Sequence, residues 1–267
     1  MPPDLWPDRE EALHLLARTP AGLFVDIDGT IAPIVSDPAK ANVPEPTRRS
    51  LAALAARLTV VALTGREVPA ARRMVGLDNI TYIGNHGVEW WADGRRIIAP
   101  EAERFVEQMH ATAVAAEGRF RSTPGVLVED KGPSVSIHYR AADSPERARQ
   151  EIFEFLSTVE TSRGLLLREG KMIVEIRPPL QLDKGTGLRA IVERDGLVAA
   201  LVLGDDLTDA DAFHELRALR ASGRMAGLNV AVLHQGRAPE AVLADADFSM
   251  EGTDGVDRFL GWLAGRL

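Results

Sequence analysis

Leu23-Phe24-Val25-Asp26-Ile27-Asp28-Gly29-Thr30 sets the frame for everything around it. Pro20 and Gly22 precede a short apolar run, and Asp26 ends it, so the run reads as a buried strand with an acidic tip. Asp26 and Asp28 stand two apart, and an extended backbone turns both to one side. Two carboxylates held that close repel one another unless a cation or a proton lies between them. Gly29 permits a sharp turn. The same letters also read as an Asx turn closing a strand, since Asp-Gly is a common turn pair.

Outward from this stretch, elements alternate. Pro46 to Leu58 has Leu51, Leu54 and Leu58 at helical spacing, Thr59 to Leu63 is a continuous apolar strand, Val68 to Val75 a helix, and Ile80 to Ile83 a third strand. The far end alternates in the same way, with a helix from Gly187 to Arg194, a strand from Leu197 to Leu203, a helix from Ala210 to Leu219, a strand from Asn229 to Leu233, and helices over 238–243 and 256–263. Continuous apolar strands between helices predict a parallel sheet covered on both faces, an α/β, Rossmann-like core. The middle differs. A helix over 102–117 leads into strands Gly125 to Glu129 and Val135 to Arg140. Ser144 caps a helix with Pro145 in its first turn, and strands Leu165 to Arg168 and Met172 to Arg177 follow. Hairpin, helix, hairpin is antiparallel α+β. The expectation is therefore a core domain of residues 1–102 and 181–267, with a smaller α+β domain of residues 103–180 inserted in it.

Composition limits the possibilities further. The 267 residues are 45% hydrophobic and 26% charged, ordinary for a globular chain. No apolar run nears the ~18–20 residues that span a bilayer. The acidic N-terminus lacks a signal peptide's basic and apolar regions, so a cytoplasmic protein with no membrane partner is expected. Cysteine is absent, which excludes disulfides and thiolate metal sites. The formal net charge of −8 disfavours sequence-independent nucleic-acid binding. It also opposes an anionic substrate, unless a metal or local cations reverse the sign at the site.

Gly204-Asp205-Asp206-Leu207-Thr208-Asp209 follows a strand as Asp26 does. It lacks the glycine and glutamate of an EF-hand loop. Two acidic loops at two strand ends can converge on one divalent ion, and all-oxygen ligation suits Mg²⁺. Thr64-Gly65-Arg66 follows the second strand, and Lys184 in Asp183-Lys184-Gly185-Thr186-Gly187 precedes a helix N-terminus, a natural anion seat. Taken singly, Thr64 is also a helix cap and Lys184 a solvated surface cation.

In order, DxDGT, Thr, Lys and GDDxTD resemble the haloacid dehalogenase superfamily of phosphotransferases. The resemblance implies that Asp26 is a nucleophile forming an aspartyl-phosphate, and that Asp28 is the acid and base. It implies that Thr64 and Lys184 hold the transferring group, and that Mg²⁺ is bound by the Asp26 carboxylate, the Asp28 carbonyl and Asp205, with Asp206 and Asp209 in support. Further strings are similar to the trehalose-6-phosphate phosphatase family, whose inserted cap is type B of the second class. They are Gly84-Asn85-His86-Gly87-Val88-Glu89, Glu129-Asp130-Lys131-Gly132 with Ser134 and His138-Tyr139-Arg140, and Gly170-Lys171-Met172 with Glu175-Ile176-Arg177-Pro178. That similarity implies Mg²⁺-dependent hydrolysis of trehalose 6-phosphate, with Arg66, Asn85, His86, Glu129, Lys131, Ser134, Lys171 and Glu175 as substrate contacts; a monomer is the expectation, though the sequence does not determine the oligomeric state. Polar hairpin turns are the plainer reading of EDKG and EGKM, a strand residue that of His138, and core packing that of Trp90 and Trp91. The chain departs from the pattern at Thr64, where serine is common, and at Ala210, where an acidic residue is usual. A phosphatase for another sugar phosphate (glucosyl- or mannosyl-phosphoglycerate, sucrose phosphate) and a non-catalytic sugar-phosphate-binding module are the alternatives.

Overall fold

The computed structural model describes residues 1–35, 40–92, 94–159 and 162–267. Its elements in chain order are α1 (Leu5–Leu16), β1 (Ala21–Val25), α2 (Glu45–Leu54), β2 (Thr59–Leu63), α3 (Val68–Val75), β3 (Thr81–Gly84), β4 (Glu89–Ala92), β5 (Arg95–Ile98), α4 (Pro100–Glu103), α5 (Val106–Phe120), β6 (Leu127–Asp130), β7 (Val135–His138), α6 (Pro145–Thr158), β8 (Leu166–Gly170), β9 (Ile173–Arg177), α7 (Lys184–Asp195), β10 (Ala199–Gly204), α8 (Asp209–Ala221), β11 (Ala226–Leu233), α9 (Glu240–Asp245), β12 (Phe248–Glu251) and α10 (Gly252–Ala264). They group into two compact units, Met1–Ile97 with Leu182–Leu267, and Ile98–Gln181. Among the described residues no helix is long and apolar enough to cross a membrane.

The larger unit is built on one sheet in the order β12-β11-β10-β1-β2-β3-β4-β5. Strands β12 through β3 pair in parallel, and β4 pairs antiparallel with β3. Alternate side chains of each parallel strand enter opposite cores. Leu23 and Val25 of β1 pack with Leu15, Leu51, Met74 and Phe259 from α1, α2, α3 and α10. Phe24 packs with Leu188 and Ile191 of α7 and Phe213 and Leu216 of α8. Burial on both faces is why these strands carry no polar alternation.

The smaller unit has a sheet in the order β6-β7-β9-β8, antiparallel throughout. Val135, Ile137, Val174 and Ile176 pack under Met109, Ala113 and Phe120 of α5 and Ile152 and Leu156 of α6. The opposite side-chain set holds a polar row: the register places Glu129, Ser136, Glu175 and Arg168 side by side across all four strands.

Several boundaries differ from the sequence expectation. Helix α7 begins at Lys184 rather than Gly187, because Asp183 and Thr186 form a reciprocal capping box. The helix expected over 102–117 is broken into α4 and α5 at Arg104–Phe105. Ser144 stands at the cap position of α6, but its side chain makes no capping hydrogen bond. Strands β4, β5 and β12 and helix α1 have no counterpart in the sequence pattern. The three strands have four residues each, too short for a periodic signal, and Pro7 and the acidic run after it obscure the spacing of Leu5, Ala12, Leu15 and Leu16 in α1.

Candidate active site

Strands β1 and β10 are neighbours, yet the chain leaves them in opposite directions across the sheet, β1 toward β2 and β10 toward β11. Such a reversal opens a crevice beyond the carboxyl ends of the strands. Asp26 leaves β1 there, its N–H donating to Leu203 O of β10 at 3.0 Å, and Asp205 leaves β10 beside it. Asp26, Asp205 and Asp209 are buried, and one carboxylate oxygen from each lies within 4.8 Å of the others. Lys184, buried at the start of α7, donates from Nζ to Asp26 Oδ1 and Asp209 Oδ1, both at 2.7 Å, and lies 3.9 Å from Asp206 Oδ1.

Two buried carboxylates, Asp26 and Asp209, therefore share one buried ammonium, with Asp205 buried beside them and the half-exposed Asp206 further off. Burial drives the Asp26 carboxyl well above the usual range; Lys184 opposes this, while Asp209, Asp205 and Asp206 reinforce it. Burial likewise raises Asp209, to about 7. Burial alone would strip the proton from Lys184, but Asp209, Asp26 and Asp206 outweigh it and keep the ammonium charged. An excess of buried carboxylate oxygen with a single cation suits a hard divalent ion. The residues present fit such an ion.

The surrounding loops hold this arrangement. Gly29 adopts φ +97°, and a Cβ there would come within 2.2 Å of Asp205 Oδ2. Thr30 Oγ1 donates to Asp205 Oδ1 at 3.0 Å, and His234 Nε2 lies 3.2 Å from Asp205 Oδ2. Asp209 Oδ2 accepts from the N–H groups of Asp205 and Asp206 at 2.9 and 3.0 Å. Asp206, expected among the metal ligands, lies outside the converging three. Its Oδ1 accepts from Thr208 N at 2.8 Å and Thr208 Oγ1 at 2.7 Å, which ties the loop to itself.

Asp28 is also apart from the acidic group. Arg66 grips its carboxylate with two donors, Nε at 2.5 Å and Nη2 at 2.6 Å. Thr64 is buried, and its Oγ1 accepts from Arg66 N at 3.2 Å. Asn85 and His86 are both left-handed, at φ 48° and 55°. Their N–H groups donate to Arg66 O at 2.8 Å and Thr64 O at 3.0 Å, so the turn and the Thr64–Arg66 loop brace each other. Glu89, fully buried, anchors the turn: Oε1 accepts from Asn85 Nδ2 at 2.6 Å and Val68 N at 2.7 Å, and Oε2 from Arg96 Nε at 2.6 Å.

In the smaller unit, Lys131 Nζ lies 3.8 Å from Glu129 Oε2 and 4.0 Å from Glu175 Oε1. Glu129 Oε2 also meets His138 Nε2 at 3.0 Å, and Arg177 pairs with Glu175. Lys131 and Ser134 are mostly buried and are joined by Lys131 N donating to Ser134 O at 2.9 Å. Lys171 is exposed, and its carbonyl accepts from Arg140 Nη2 at 3.3 Å. Trp90 and Trp91 pack against the two cores of the larger unit.

Sequence reasoning leaves Thr30, Glu89 and His234 without a role and sets Asp209 only in support. Thr30 ends the DxDGT motif and Glu89 ends the Gly84–Glu89 string, so both have a positional signal. His234 has none, being one histidine after an apolar strand.

Two acidic loops meeting at the switch point of a mainly parallel sheet, with a lysine from a later helix between them, define a haloacid dehalogenase fold. The sequence profile of the trehalose-phosphatase family matches residues 24–247. The trehalose-phosphate phosphatase of Mycobacterium avium is 33% identical over 252 residues, covering 89% of this chain and 62% of that one. That of Mycobacterium marinum is 35% identical over 273 residues, covering 96% and 66%. The chain thus spans just under two thirds of the length of these curated relatives. A solved structure, the trehalose-6-phosphate phosphatase C-terminal domain of C. albicans, superposes with a TM-score of 0.74 over 99% of this chain and 98% of that one, at 23% identity, a likeness of fold. The chain belongs to the trehalose-phosphatase family.

Proposed function

We propose that the protein is a Mg²⁺-dependent phosphatase that hydrolyses trehalose 6-phosphate through an aspartyl-phosphate. The observation that carries this reading is the buried Asp26–Lys184–Asp209 ion pairing beside Asp205 at the sheet's switch point. Family membership supports the substrate. Asp26 attacks phosphorus while the bond to the sugar oxygen breaks, and Asp28 delivers a proton to that leaving oxygen. Asp28 then takes a proton from water as the water oxygen attacks phosphorus, releasing phosphate and restoring the Asp26 carboxylate. Both oxygens of Asp28 are occupied by Arg66 in the resting arrangement, so the pair opens for this exchange, and the arriving phosphate is the anion to which Arg66 turns. Lys184 and Thr64 hold the transferring group, and Lys184 offsets charge growing on its oxygens. Mg²⁺, held by the Asp26 and Asp205 carboxylates and the Asp28 carbonyl, would supply the further positive charge that a dianion requires in an acidic protein.

Asn85 and His86 act as braces of the Arg66 loop. Glu129, Lys131 and Glu175 bind sugar hydroxyls, with Ser134 and Lys171 as lesser contacts; charged donors and acceptors on one sheet face suit a ring of hydroxyls. A cytoplasmic site of action fits the cysteine-free, acidic composition. The test is phosphate release from a panel of sugar phosphates, with Mg²⁺ and with EDTA. Trehalose 6-phosphate should stand out and EDTA should silence the reaction; equal rates across the panel would reject the assignment.

A further inference from the structure

Asp205 receives one hydrogen-bonding neighbour on each oxygen, and the two come from the loops after different strands. Thr30, from the loop after β1, takes Oδ1; His234, directly after β11, takes Oδ2. As a metal ligand Asp205 is ionised and only accepts, a state in which Nε2 of His234 is the donor. The imidazole is not placed by chance packing. His234 and Arg237 close a tight turn by exchanging backbone hydrogen bonds, His234 N to Arg237 O at 2.8 Å and Arg237 N to His234 O at 3.2 Å. The two residues between them, Gln235 and Gly236, are both left-handed, at φ 55° and 73°. Gly236 N in turn donates to both oxygens of Glu251, at 3.3 and 3.2 Å, and Glu251 pairs in register with Leu233, the last residue of β11. A chain of contacts thus runs from the sheet edge through a hydrogen-bonded turn to one oxygen of Asp205.

We propose that His234 is a positioning residue for Asp205, fixing the carboxylate so that the cation meets a preset ligand. The inference rests on the reading of Asp205 as a Mg²⁺ ligand. Partners of metal-ligating carboxylates typically change metal affinity 10–100-fold when removed. Thr30 restrains one oxygen only, so without His234 the carboxylate can swing about that bond.

The experiment is calorimetric titration of Mg²⁺ into the substrate-free protein and its His234→Phe and His234→Gln variants, with thermal melts of each in EDTA. Phenylalanine keeps a ring and removes the donor; glutamine removes the ring and keeps an N–H. His234→Phe should weaken Mg²⁺ binding by about tenfold or more, His234→Gln should recover most of that loss, and the EDTA melts should coincide. In turnover assays the Mg²⁺ concentration for half-maximal rate should rise in His234→Phe while the rate at saturating Mg²⁺ changes far less. Parent-like Mg²⁺ affinity in His234→Phe overturns the proposal, as does equal weakness of the two variants. A parent protein that takes up no Mg²⁺ overturns it together with the reading of Asp205.

Discussion

Asp26 is buried with the Lys184 ammonium 2.7 Å away, which opposes the burial that raises its carboxyl, and the same ammonium is shared with Asp209. Replacing Asp26 with asparagine keeps the shape and leaves Lys184 paired with Asp209, so the fold should hold while turnover vanishes. Asp26→Asn is expected to release no phosphate while still binding substrate; retention of even about a tenth of the parent rate would remove the residue from the nucleophile's role. This carboxylate is readable in sequence because it follows an apolar strand and precedes Asp-Gly. The sharing of Lys184 is not readable, since 158 and 25 positions separate it from its two partners.

Among the elements, α7 has the most direct link to the buried acidic group, because its first residue is Lys184. Asp183 caps it, accepting from Thr186 N at 2.8 Å, while Asp183 N donates to Thr186 Oγ1 at 2.9 Å. Asp183→Ala should cost about 1 kcal/mol of stability, measured by chemical denaturation, and should lower turnover by loosening the lysine's base. An unchanged denaturation midpoint would show that the cap does not anchor the helix. The loop after α3 supplies a pH signature. Burial moves the Tyr82 hydroxyl from 10.0 up to about 12 against the opposing pull of the Arg72 charge, while the hydroxyl donates to Leu77 O. The folded state therefore favours the neutral phenol. That stabilisation is complete below pH 10 and is lost as pH rises from 10 to about 12. Melting temperatures measured across this window should fall more steeply for the parent than for Tyr82→Phe, and parallel curves would exclude the tyrosine as their cause.

At the level of the whole chain, two cores of different design are joined in one polypeptide. The parallel sheet carries the buried Asp26–Asp205–Asp209 group with Lys184, and the antiparallel sheet carries the Glu129–Lys131–Glu175 cluster. If that cluster reads sugar hydroxyls, Glu129→Ala and Glu175→Ala should reduce hydrolysis of trehalose 6-phosphate far more than hydrolysis of a small aryl phosphate. Equal losses on both substrates would mean that the two carboxylates merely hold their sheet together.

Periodicity and turn chemistry are enough to read the parallel strands and most helices of the larger unit, since each is long, apolar and bounded by glycine or proline. The aspartates, Thr64 and Lys184 are legible because each stands at an element boundary, where the chain leaves a buried sheet and polar groups become accessible. What folding alone established is which of those groups meet. Asp209 rather than Asp206 joins Asp26 and Asp205, because Asp206 is spent on its own loop's N–H groups. Asp28 faces Arg66, Glu89 underpins the Asn85 turn, and His234 reaches Asp205. Local sequence governs which backbone conformation is cheapest at each residue. Electrostatic pairing depends on distance in space, and strands ordered out of sequence bring together charges whose separation along the chain carries no trace of it.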